Sequence, residues 1–355
     1  MATIDIFDSY YLAGLQQSNP PLSTFFTDRY FPTAPADVFN ADKVLIEVKD
    51  GNSRLAPYVV KRRFDVPVAR DGYEVEEYAP PEIKPSRVLT LDDLAQRQMG
   101  EALFSDMSVD DRERSLMARD LAELDERITR RVEWQAAQTI INNGFTAVAY
   151  ADSRETGEAF DLFFYKTGGG NPALYTVSDP WDNGGDYDAD VAGMARALSR
   201  RGLPAADLVL GSDAASFILN DDKLLKKLDI SRLNVGELAP ALQSPGVVFL
   251  GKLVFGGFSL NVISVDAEYT DDDGAIQPFF PAKSALVTAP GCGHTMYARV
   301  RQMNDSKAWE EIAAPRAPLV ISTVEGQSRK LRLTARPLCA PKAKAPWMYA
   351  ENAVM

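Results

Sequence analysis

Apolar residues recur at helical spacing with unusual persistence along one stretch of this chain. Between Ser108 and Asn143, the residues Leu116, Leu121, Leu124, Ile128, Val132, Ala136 and Ile140 follow one another at steps of three, four or five. That spacing keeps them on one face of a helix, and Leu121, Leu124, Ile128 and Val132 are the expected core of that face. Arg119, Asp120, Glu123, Arg127, Arg130 and Glu133 fall on the other side and are expected to meet solvent. Ser108 suits an N-cap, Asp110 and Asp111 suit the positive helix end, and Gly144 suits a left-handed stop. A helix over 108–143 would be about 50 Å long, far beyond the usual three turns. A strut of that length belongs in a thin building block more readily than in a small-molecule enzyme.

On either side of this helix the period changes to two. Val44, Ile46 and Val48 alternate with polar neighbours and run into Asp50-Gly51, a hairpin signal. Charge then segregates, with Lys61, Arg62, Arg63 and Arg70 on one side of the bend and Glu74, Glu76, Glu77 and Glu82 on the other. Opposite charges across paired strands stabilise each other by about 0.2–1 kcal/mol. Residues 42–90 therefore read as a long two-stranded loop with few core-sized side chains, one that reaches a surface beyond its own body. Before it, Pro20-Pro21, Pro32 and Pro35 break any long helix, yet Phe25, Phe26, Tyr30, Phe31 and Phe39 are too apolar for a free tail. Residues 1–41 read as an arm lying across its own or a neighbour's surface.

After the helix come strands and loops over 145–180, then DADVAGMARALSRRG, a helix with Val191, Met194, Ala195 and Leu198 on one face and Gly202 at its end. Asp207–Gly211 reads as a short buried strand, and Ser212 as the cap of a helix reaching Leu219. Residues 246–289 are strand-rich, with a turn at Asp271–Gly274, which completes a compact α+β domain. Alternation returns over 317–338, and APKAKAPW reads as a loosely held end.

Composition narrows the function classes. At 355 residues the chain exceeds one ordinary core. A net charge of -12 argues against gripping phosphate backbones. Acids in the first residues and the lack of a long apolar run predict a soluble, reduced, cytosolic protein with no membrane partner. Catalytic chemistry finds little support. Cys292, Cys339 and the single His294 are too few for a structural zinc site, and a Cys–His pair two residues apart in GCGH reads as a loop rather than a dyad. Gly168-Gly169-Gly170 lacks the Lys-Ser/Thr of a phosphate loop. Asp186, Asp188 and Asp190 resemble part of a calcium loop, but Val191 and Ala197 occupy the places of its glycine and glutamate; acids entering a helix explain them better. No cofactor and no metal are expected.

The order of parts (arm, extended loop, long helix, β segment, compact α+β domain, strand return) resembles the tailed-phage capsid fold of the Hong Kong 97 type. More narrowly, the chain resembles the lambda-type major capsid protein E family. FFTDRYFP at Phe25–Pro32, the long helix ending in NNGF, TGEAFD at Thr156–Asp161 and FFPAKSALVTAPG at Phe279–Gly291 carry that resemblance. It implies an α+β fold in five parts: an N-arm at 1–41, an E-loop at 42–90, and a peripheral domain at 91–183 with spine helix 108–143. An axial domain at 184–290 and return strands with a C-terminal tail at 291–355 complete the chain.

The resemblance also implies a non-enzymatic shell protein that assembles as hexamers and pentamers into an icosahedral head. Its partners would be copies of itself, a scaffold, a portal and a decoration protein, with DNA enclosed but not read. Assembly would take place in the host cytoplasm and the product would be the virion. The expected assembly contacts are Lys61, Arg62, Arg63, Arg70, Glu74, Glu76 and Glu77 on the E-loop, and Phe25, Phe26, Tyr30 and Phe31 on the N-arm. Some relatives crosslink through a lysine and an asparagine; Lys61 sits where such a lysine would, with no partner asparagine identifiable. Two other readings stand beside this one: a cellular nanocompartment shell of the same fold, and a cytosolic homo-oligomeric enzyme with an acidic site.

Overall fold

A computed structural model of the protein describes residues 22–48, 74–95, 108–150, 157–165, 171–221, 236–303, 309–322 and 328–355. Its helices are α1 (Phe25–Tyr30), α2 (Leu91–Ala95), α3 (Val109–Asn142), α4 (Tyr187–Arg200) and α5 (Ser212–Leu219). The long helix α3 has nearly the expected limits. Ser108 is its N-cap, accepting from the Asp111 amide at 3.2 Å. At the other end Asn143 takes the left-handed position (φ 57°) in place of Gly144. Gly144 already belongs to the next strand, where a Cβ would lie 2.1 Å from the Leu162 carbonyl oxygen, so glycine serves close strand packing rather than the helix stop.

Strands β1 (Val44–Val48) and β2 (Glu74–Tyr78) pair antiparallel, as do β4 (Gly144–Tyr150) and β5 (Gly157–Phe163). A three-stranded sheet has the order β16 (Ala317–Ser322), β17 (Ser328–Thr334), β3 (Ser86–Thr90). Its neighbours are two antiparallel pairs: β13 (Gly293–Tyr297) with β18 (Pro337–Pro341), and β14 (Val300–Met303) with β15 (Trp309–Ile312).

The largest sheet has six strands in the order β19-β12-β6-β9-β8-β7. They are β6 (Asp207–Gly211), β7 (Gly236–Ser244), β8 (Val247–Phe255), β9 (Phe258–Val265), β12 (Ala285–Thr288) and β19 (Met348–Ala350). Within it only β6 and β9 run parallel, and the chain between them passes through α5, β7 and β8. One short hairpin, β10 (Glu268–Thr270) with β11 (Ile276–Pro278), stands beside α3.

Three readings of the sequence are corrected here. The C-terminal segment is not loose, because Trp347, Tyr349 and Ala350 are buried and β19 forms an edge of the six-stranded sheet. In α5, Ser212 is the first helical residue and Gly211 occupies the cap position without a side-chain bond. His294 lies on β13 rather than in a loop.

The partner of Val44–Val48 is Glu74–Tyr78. The Asp50-Gly51 turn, Lys61, Arg62, Arg63 and Arg70 lie outside the described residues, as do residues 1–21 and Gly168–Gly170.

Burial divides α3 into two halves. From Leu124 onward, Ile128, Val132, Ala136, Ala137 and Ile140 sit in a core shared with α1, Phe280 and Trp347. The earlier half stays largely at the surface and is held by arginines from other elements. Arg87 of β3 reaches Asp120 and Glu123, Arg329 of β17 reaches Glu113, and Arg316 reaches Asp125 at 2.6 Å. Leu121 is half-buried where the two regimes meet.

Candidate functional site: the arm, the ribbons and the long helix

The aromatic residues expected to dock on a neighbouring copy are inside their own subunit. Phe25, Phe26, Tyr30 and Phe31 are 5%, 1%, 0% and 0% exposed. The cause is local. FFTDRY is short enough to form one and a half turns between prolines, and that turn drops three of the four rings into the core beside α3. Phe26 meets Phe280 at 6.1 Å between ring centroids, and Phe31 meets Trp347 at 6.0 Å, spacings at which edge-on and tilted ring pairs attract. In this subunit these four side chains are covered by its own core.

Polar groups fix the same segment from both sides. On one side Arg29 grips Asp207, with Nε at 2.6 Å and Nη2 at 2.9 Å, while Tyr30 donates its hydroxyl to the same carboxylate at 3.2 Å. Asp207 is fully buried and also accepts from Asn261 at 2.8 Å. The bidentate bond is the main reason the Arg29 guanidinium is held above its ordinary pKa. On the other side Glu133 accepts the amides of Phe26 and Thr27 at 2.7 and 2.9 Å. Glu133, assigned to solvent by the helical period, is fully buried. Sequence reasoning missed both carboxylates. Their local signals were the uncharged run from Trp134 to Asn143 and the apolar strand that Asp207 opens.

The root of the extended loop has an inner and an outer face. Val44 and Tyr78 face one another across β1 and β2 and pack with Phe164 and Tyr165. Glu76 also turns inward, accepting from the Tyr78 hydroxyl and, at 3.4 Å, from the Tyr165 amide. Within the subunit Glu76 is thus half-buried and bonded to its own fold. Burial first, and then the Glu76 carboxylate, raise the Tyr78 and Tyr165 hydroxyls above their ordinary pKa. Glu77 faces outward and pairs at 3.3 Å with Lys43 of its own ribbon. Glu74 closes the register opposite Val48.

Beside Glu77 the outer face shows Leu45 at 64% and Val75 at 49% exposure. Two further ribbons present the same kind of face. Val148 and Tyr150 are exposed on β4, lying over Gly157 of β5. Met303 and Trp309 are a cross-strand pair at the end of β14 and β15, with Trp309 77% exposed.

Reactive chemistry does not converge anywhere among the described residues. His294 Nδ1 lies 3.1 Å from Asp37, and burial holds the imidazole below its ordinary pKa. Burial pushes the thiols of Cys292 and Cys339 up to about 11 and about 12, so neither is a thiolate nucleophile at neutral pH. Asp186 caps α4 through the Asp188 amide at 3.1 Å, and Asp190 accepts from Trp181 and Tyr175; their acid spacing serves the helix start. Among the described residues no cluster of His, Cys, Asp and Glu could hold a metal ion, and no helix is long and apolar enough to cross a membrane.

A long helix, an extended ribbon, a β-rich flank and a six-stranded α+β body define a shell subunit of the tailed-phage capsid fold. The chain superposes on the crystal structure of a putative prophage capsid protein from E. coli CFT073 with a TM-score of 0.61 at 15% identity, covering 97% of each chain. The capsid of cyanophage P-SCSP1u gives 0.49 at 9% identity, covering 97% of this chain and 92% of the other. The SrpI encapsulin complex of Synechococcus elongatus PCC 7942 gives 0.46 at 11% identity, covering 100% of this chain and 96% of the other. No curated protein sequence matches the chain. The sequence model of the family Phage major capsid protein E matches residues 8–351, and the chain belongs to that family. It is a shell protein of the virion capsid, structural rather than enzymatic.

Proposed function

We propose that this subunit closes into hexamers and pentamers of an icosahedral head, and that its neighbours are gripped chiefly by the outer faces of its two-stranded ribbons. One observation carries the proposal: Leu45 with Val75, Val148 with Tyr150, and Met303 with Trp309 each leave apolar side chains in water on a separate ribbon. Two-stranded ribbons are marginal alone, and apolar faces on them are stabilised when another surface covers them. Heterologous contacts of this kind close rings. The stretch holding Lys61, Arg62, Arg63 and Arg70 lies between the two strands of the first ribbon in sequence, and with Glu74 and Glu77 it supplies the charge that orients the contact.

In this reading residues 1–41 are the N-arm, 42–90 the E-loop, 91–183 and 291–355 the peripheral parts, and 184–290 the axial domain. The head assembles in the host cytoplasm around DNA that the acidic shell does not read, with scaffold, portal and decoration proteins as partners. Electron microscopy of the overexpressed protein, alone and with its gene neighbours, tests the reading. Replacing Lys61, Arg62 and Arg63 together by Glu leaves a folded subunit that assembles poorly; normal shells from that variant would remove the electrostatic role of the loop.

A further inference from the structure

Docking of α1 encloses an anion. Thr24, the residue in the N-cap position of α1, makes no capping bond and turns its hydroxyl to Asp28 at 2.7 Å. The cap comes instead from Glu133 of α3, more than a hundred residues away. One oxygen accepts the Phe26 amide; the other accepts the amide and the hydroxyl of Thr27. Among the described residues no salt bridge reaches this carboxylate. Arg29 of α1 is committed to Asp207. The other titratable groups facing it are Asp28 of α1, an acid, and the Cys339 thiol of β18. Three hydrogen bonds therefore hold a fully buried carboxylate that has no salt-bridge partner among the described residues, a costly arrangement for a charge unless the group takes up a proton.

We propose that Glu133 is a proton-operated clasp on the segment 24–31: docking of this segment takes up a proton at Glu133, so acid tightens the segment and alkali loosens it. Neutral Glu133 still accepts the Phe26 amide and donates its own proton to the Thr27 hydroxyl oxygen. Burial raises the docked carboxyl from an ordinary 4.5 to about 7, the hydrogen bonds pulling the other way. With the segment lifted, the group meets water and returns towards its ordinary value. The docked state then binds more protons between these two values. Its stability is greatest below about 4.5, falls as pH rises towards about 7 and is level above that. The clasp belongs to the single subunit and does not rest on the shell reading.

Hydrogen exchange of peptides covering 22–41, corrected for intrinsic exchange rates, tests it on the full chain. From about pH 5 to about pH 8 the wild-type protection is expected to fall on the order of a hundredfold, since each unit of pKa difference is tenfold. Glu133→Gln removes the titration but turns an NH2 donor towards one of the two backbone amides, so the segment should be held less tightly than in the acid wild type, with protection that is flat in pH. A flat wild type, or a variant with the wild-type slope, overturns the proposal. Should the variant fail to fold, carboxyl carbon NMR of the glutamate-labelled wild type decides: a buried carboxyl titrating near 7 supports the clasp, and none above about 5 refutes it.

Discussion

Asp207 offers the sharpest test of how the arm is anchored. It opens β6 with no exposed surface and accepts from Arg29 twice, from Tyr30 and from Asn261. Asp207→Ala would leave four donors without their acceptor and a guanidinium whose side chain is only 26% exposed. Removing one partner of a buried pair costs about 3–5 kcal/mol. Residual access of water to Arg29 places the expected loss near the lower end, about 3 kcal/mol. Arg29→Met exposes the same dependence from the other side, because it leaves the buried carboxylate with only neutral donors.

Urea denaturation of the two single variants and the double variant forms a cycle. The double variant should lose less than the sum of the singles by at least about 1 kcal/mol, as expected for groups in one network, with unchanged denaturant slopes. A coupling below about 0.5 kcal/mol, the range seen for independent sites, would refute the claim that this pair fastens residues 25–31 to the six-stranded sheet.

Two other variants probe the body. Leu124→Asp buries a carboxylate in the core that Leu124 shares with Ile128, at a cost of several kcal/mol, so the expected outcome is aggregated or unfolded protein on expression; a soluble variant that forms shells would contradict the buried helix face. Ending the chain at Pro346 removes Trp347 and Tyr349, both buried, and strips the edge strand from β12. That truncation should abolish cooperative unfolding by calorimetry, and a normal transition would show the last strand to be dispensable.

Much of the fold was legible because its longest elements have strong local causes. The limits of α3 follow from Ser108, the first-turn acids and the Asn143-Gly144 stop, and those of α4 from Asp186 and the apolar period. What the sequence concealed was which copy a given surface belongs to. The aromatic cluster at Phe25–Phe31 is apolar enough for any core, and nothing local states whether that core is its own or a neighbour's. Glu133 was misplaced because period 3.6 assumes one buried face. Over its second half α3 is enclosed on several sides, where Glu133, Gln135, Ala137 and Thr139 are all buried. Arg29 and Asp207 lie 178 positions apart, as do many pairings that close a fold, and no spacing rule reaches so far. The partner of Val44–Val48 was obscured for the same reason, since the Asp-Gly turn signal lies well before Glu74–Tyr78.

The division between inward and outward surface has a mechanical consequence. The roots of β1–β2, β4–β5 and β13–β18 share one apolar cluster, in which Val44, Phe145, Leu162, Phe164, Met296 and Leu338 meet, and Trp134 of α3 packs against it. The ribbons bearing Leu45, Val75, Val148 and Tyr150 thus project from a common base fixed to the buried half of the long helix. A rigid base with exposed outer faces lets a subunit offer neighbours defined contact faces without enlarging its own core, because strands rooted in packed side chains cannot shift register without emptying the cluster. Substitutions at the inner and at the outer faces of the ribbons should therefore separate. Changes at Phe164 or Leu338 act on the fold of one subunit, whereas changes at Leu45 or Tyr150 leave the subunit intact and act only where copies meet.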